Sequence, residues 1–91
     1  MSAPLALALG HVRNAVWQLM GNNDEHGLTL GLEALDVEAL LNVDNIEPAV
    51  LAVRPDPAAS LTVARQLLER VPKEVPPAAW AALQTLIVKL G

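Results

Sequence analysis

Along the chain, apolar side chains first recur at Leu5, Leu9, Val12, Val16 and Leu19, and spacings of 4, 3, 4 and 3 place them on one face of a helix over about residues 3 to 20. Pro4 suits the first turn of that helix, and Gly21-Asn22-Asn23 suits its end. Trp17 and Met20 lie about one step of ~100° off the stripe, so the helix carries more apolar surface than one buried face uses. After a polar turn from Asn22 to Gly27, Leu28, Leu30 and Leu32 alternate with Thr29 and Gly31. That is strand period, and it predicts an irregular or extended connector. Helical spacing returns at Leu35, Ala39, Leu40 and Val43, with Asp36 as a candidate cap.

Asp44 and Glu47 then form a D-x-x-E capping box with Pro48 inside the first turn. This predicts a further short helix holding Val50, Leu51 and Val53 and stopping before Pro55. Asp56-Pro57 repeats the grammar of a cap followed by proline, and the helix behind it turns Leu61, Ala64, Leu67, Leu68 and Val71 inward. Pro72, Pro76 and Pro77 punctuate the link to a last helix over residues 77 to 90, striped by Trp80, Leu83, Leu86, Ile87 and Leu90, with Trp80 assigned to the core.

These elements predict an all-α fold, a small bundle of four to five short helices with the connector after the first, in one domain covering residues 1–91. Composition agrees. Apolar residues make up 53% and charged residues 18%, enough burial to offset the entropy of ordering. The apolar set is 17 Leu, 15 Ala and 10 Val against two Trp and no Phe or Tyr, which favours helices over strands. No cysteine is present, so thiol chemistry and Cys-ligated metals are excluded. No stretch approaches a membrane span and Leu5 to Leu9 is too short for a signal-peptide core, so a cytoplasmic protein with no membrane partner is expected.

Charge changes the picture further. Residues 1–53 carry Arg13 against Asp24, Glu25, Glu33, Asp36, Glu38, Asp44 and Glu47, a net of -6, whereas residues 54–91 are net +2. An acidic chain lacks the basic footprint that phosphate backbones require, so no nucleic-acid partner is expected. The paired segments at 36–43 and 45–53 contain no Lys or Arg and would repel phosphate if used as a helix-turn-helix.

Candidate chemistry is sparse. Counting from Asn22, the residues Asn22, Asp24, His26, Gly27 and Glu33 fall at positions 1, 3, 5, 6 and 12 of a pattern that resembles the EF-hand calcium loop, whose carboxylates wrap a hard cation. Only Asp24 and Glu33 would bring charge to it. The stretch Leu32-Glu33-Ala34-Leu35-Asp36 resembles the modified helix of acyl carrier proteins, but Ala34 stands where that family has its prosthetic-group serine, and the carrier role has no hydroxyl to use. Ser2 and Ser60 lie in no G-x-S-x-G elbow, and Gly10, Gly21, Gly27 and Gly31 form no phosphate loop. No enzyme and no cofactor are expected.

The leading expectation is a small non-enzymatic protein–protein interaction module, a homodimer or an adaptor to a larger protein. Apolar residues in excess of one helical stripe point to it, and Trp17, Met20, Leu28, Leu30 and Leu32 are the candidate contact residues. Two alternatives stay open: a calcium-responsive protein using Asn22, Asp24, His26 and Glu33, and an acidic mimic that blocks a basic nucleic-acid-binding surface.

Overall fold

The computed structural model describes residues 3–21 and 24–90. Among the described residues four helices carry the fold, α1 (Ala3–Gly21), α2 (Glu25–Leu41), α3 (Pro57–Leu68) and α4 (Pro77–Leu90), with a 3-10 turn at Pro72–Glu74. The all-α bundle expected from the sequence is the fold observed. Helix α1 packs against both α2 and α3, and α4 closes the bundle against the same two. Two neighbours bury α1 around much of its circumference, which is why Ala8 and Ala15 are as buried as Leu9 and Val12. Leu41, Leu61, Leu68, Leu83 and Leu86 from the other helices complete the core. The radius of gyration, 11.8 Å, matches the roughly 12 Å expected of a close-packed chain of this length.

Local grammar explains two helix starts. Asp24 sits in extended geometry at the N-cap of α2 and accepts a hydrogen bond from the Gly27 amide through Oδ1. Asp56 does the same for Ala59 at 2.8 Å, with Pro57 opening α3. Trp80 is half-buried and packs against the core.

The expected extended connector at 28–32 is a correction. Those residues lie in the first two turns of α2, whose buried side is Gly27, Leu30, Gly31, Ala34, Val37, Glu38 and Leu41. A lone strand would leave its backbone groups unpaired, whereas a helix satisfies them internally. Gly31 permits close approach to α1: a Cβ there would lie 2.4 Å from Met20 Cγ. The same register leaves Leu35, Ala39 and Leu40 exposed, and Val43, beyond the end of the helix, is exposed as well. Asp36, read as a cap, lies inside α2.

The helix expected from Asp44 does not form either, and residues 42–56 instead make a strap across α1. The Asn42 side chain grips Ile46, donating through Nδ2 to its carbonyl at 2.8 Å and accepting its amide at 2.6 Å. Asn45, where the first helical residue would stand, has φ of 54°. Ala49 N–H donates to Ala6 C=O of α1 at 3.0 Å, so that backbone group is spent on docking the strap.

Candidate functional site

The strap is held by a polar cluster. The Pro55 carbonyl just precedes the α3 cap and has no backbone donor, and side chains of α1 supply them: Asn14 Nδ2 donates to it at 2.9 Å and Gln18 Nε2 at 2.7 Å. Asn14 Nδ2 also donates to the buried Ser60 Oγ at 2.7 Å, and Gln18 Nε2 to Asn14 Oδ1 at 3.0 Å. Higher up, Gly10 lies under the strap, where an added Cβ would come within 2.4 Å of Ala49 O. Between strap and helix opens a cleft of about 520 Å³, lined by Gly10, Arg13, Trp17, Pro48, Val50 and Arg54 among others.

Trp17 stands at the mouth of this cleft with 72% of its surface exposed, although an indole is among the most costly side chains to leave in water. Arg13, which lines the same cleft, reaches across to α2 and donates through Nε to Glu38 at 2.7 Å. On α2 a second apolar row begins: Leu28, Leu32 and Leu35 are 44%, 54% and 42% exposed, and their spacings of 4 and 3 put them on one helical face. Helix α2 is therefore apolar on two sides. One builds the core and the other faces solvent.

Among the expected contact residues, Trp17, Leu28 and Leu32 are exposed, Met20 is half-buried against Gly31, and Leu30 is removed from the set by its 4% exposure in the core. Leu35 was not singled out because its spacing to Ala39 and Val43 marks a helix without telling which face of it is buried. The exposed Val50 and Val53 were missed because a capping-box helix would have placed them differently. Asn14 gives no signal in a linear reading, since its partners are 41 and 46 residues away.

The ion-binding loop is a further correction. Asn22 and Asn23 lie outside the described residues, but Glu25 to Glu33 are helical, and Asp24 is spent as a cap. Nine residues of helix separate Asp24 from Glu33 by about 14 Å along the axis, too far to share a cation. Glu33 pairs with Lys89 of α4, and His26 is exposed. No group of three or more metal-ligating side chains occurs among the described residues. Ala34, the position matching the carrier-protein serine, is fully buried. No helix among the described residues is long and apolar enough to cross a membrane. The chain matches no protein-family model, no curated protein and no solved structure.

His11 of α1 yields one pH prediction. Burial lowers its pKa below 6.5, and its Nδ1 is buried without a hydrogen-bond partner. The folded state thus favours the neutral ring, while the unfolded state takes up a proton near pH 6.5. Stability is full above that pH and falls as the pH drops through the lowered folded value. Urea midpoints measured from pH 7.5 to 5 should decline, and the decline should be shallower in His11→Gln.

Proposed function

We propose that this chain is a small cytoplasmic, non-enzymatic protein-interaction module that binds another protein through the face formed by Trp17 and the row Leu28, Leu32 and Leu35. The observation that carries this reading is the α2 row: three leucines at helical spacing left in water on a helix whose opposite side already builds the core. Isolated exposed leucines are ordinary, but three on one helical face are the kind of patch that partners cover, and the indole of Trp17 on α1 is exposed as well. Tryptophan is also among the residues most enriched where binding energy concentrates.

Charge recognition alone fits less well. Of the carboxylates an acidic mimic would use, Glu33 and Glu38 are engaged by Lys89 and Arg13, and leucines run between the others.

Affinity capture with quantitative mass spectrometry tests the proposal. The wild-type chain should retain a partner that the triple variant Leu28→Gln, Leu32→Gln, Leu35→Gln loses and that Trp17→Ala weakens, with circular dichroism unchanged in both. Identical capture by all three chains would overturn it.

A further inference from the structure

We infer that the leucine row of α2 takes an amphipathic helix of another protein, one whose own apolar row is flanked by Lys or Arg. This rests on the interaction-module reading and specifies the partner. Leu28, Leu32 and Leu35, continued by exposed Ala39, follow spacings of 4, 3 and 4. They offer about 16 Å of apolar surface along the helix axis, the length of three turns of an apposed helix. Such helix-on-helix docking is read through anchors at i, i+4 and i+7.

The border of the row decides what can flank those anchors. From Asn14 to Val53 the chain contains no Lys or Arg. Glu25 and Asp36, both exposed and without an ion-pair partner among the described residues, lie along one side of the row. Along the other side lies Glu38, with its Arg13 partner reaching in from α1. A helix with basic residues over Glu25 and Asp36 would meet free carboxylates there, and one with acidic residues on that flank would meet like charge, whereas the opposite flank meets the Arg13–Glu38 pair, so the border sets both attraction and orientation.

A second copy of this chain does not supply that complement. The outward side of α3 is polar, with Thr62, Arg65, Gln66, Glu69 and Arg70. The exposed residues of α4 include Ala81, Gln84, Thr85, Val88 and Lys89, the last already paired with Glu33, and no leucine row. Laying α2 on α2 brings together two helices that have carboxylates and no Lys or Arg. The strap displays Val50, Val53 and Arg54 but is not helical.

The test is a nuclear magnetic resonance titration of the full chain with two synthetic amphipathic peptides. Both carry leucines at i, i+4, i+7 and i+11, one flanked by lysines and the other by glutamates. The lysine peptide should shift amides between residues 25 and 40 and weaken as salt is raised, and the glutamate peptide should leave the spectrum unchanged. The double variant Glu25→Lys, Asp36→Lys should weaken the lysine peptide about tenfold and admit the glutamate peptide, since each exposed pair contributes up to roughly a factor of five and reversal adds repulsion.

Equal binding of both peptides, shifts lying away from α2, or no binding of the lysine peptide would overturn the inference. So would sedimentation showing that the wild-type chain dimerises through the row while the triple glutamine variant stays monomeric. If cellular capture still depends on the leucine row while the lysine peptide fails, the partner chemistry is wrong and the module reading stands. If capture is also indifferent to the row, both fall.

Discussion

Asn14→Asp, a substitution that changes almost no volume, should cost about 3 kcal/mol, because it removes a buried donor and places a carboxylate oxygen against the Pro55 carbonyl. The native amide donates both to that carbonyl and to Ser60 Oγ, and its own oxygen receives Gln18. A chain of this length has on the order of 5–14 kcal/mol in total, so urea unfolding should show a large loss. The pH dependence identifies the cause. The buried carboxyl is held protonated more readily in the folded state, so its pKa there rises above the ordinary value near 4. Stability of the variant should therefore recover as the pH falls toward about 4, opposite to the trend His11 imposes on the wild type. A loss without that recovery would mean that the cluster does not anchor the strap.

Gly10→Val should cost about 2–3 kcal/mol, although replacing glycine inside an open helix ordinarily gains up to about 1 kcal/mol. The new Cβ would lie 2.4 Å from Ala49 O and 3.4 Å from Leu51 Cδ2. A backbone oxygen cannot swing aside as a side chain can, so the strap must lift and give up the hydrogen bond from Ala49 N–H to Ala6 C=O. Gly21→Ala is the matched control. Nothing lies within 4 Å of a Cβ at that position, and the variant should be unchanged or slightly stabilised. Differential scanning calorimetry of both variants separates a local clash from a general intolerance of α1 to larger side chains.

Asn14→Asp and Gly10→Val both act on the strap, the part of the fold least legible in the sequence. What was legible was local: the five-residue stripe of α1 and the Asp56-Pro57 start of α3 rest on contacts a few residues apart. The Asp44-x-x-Glu47 box was an equally good local signal, yet it lost to Asn42 gripping Ile46 and to Ala49 pairing with a residue 43 positions earlier. No periodicity reports contacts of that range.

The α2 helix misled for a different reason. Apolar residues on two of its sides blur the period, and glycines at 27 and 31 resemble the breakers of a connector, although both are buried within the helix and Gly31 serves close packing against Met20. That same double-sidedness is the basis of the candidate site. Trp17 could be singled out because it departs from the α1 stripe, whereas Leu35 could not, because one apolar face looks like another until the partner helices are in place.

If the row Leu28, Leu32, Leu35 serves a partner and not the fold, replacing it should leave the stability of the chain almost unchanged. Urea unfolding of the triple variant Leu28→Gln, Leu32→Gln, Leu35→Gln, beside wild type and Leu30→Gln, tests it most directly, since Gln and Leu have nearly equal helix propensity. The triple variant should stay within about 1 kcal/mol of wild type, while the single change at buried Leu30 should cost at least about 2 kcal/mol. A triple variant that unfolds as readily as the Leu30 variant would contradict it.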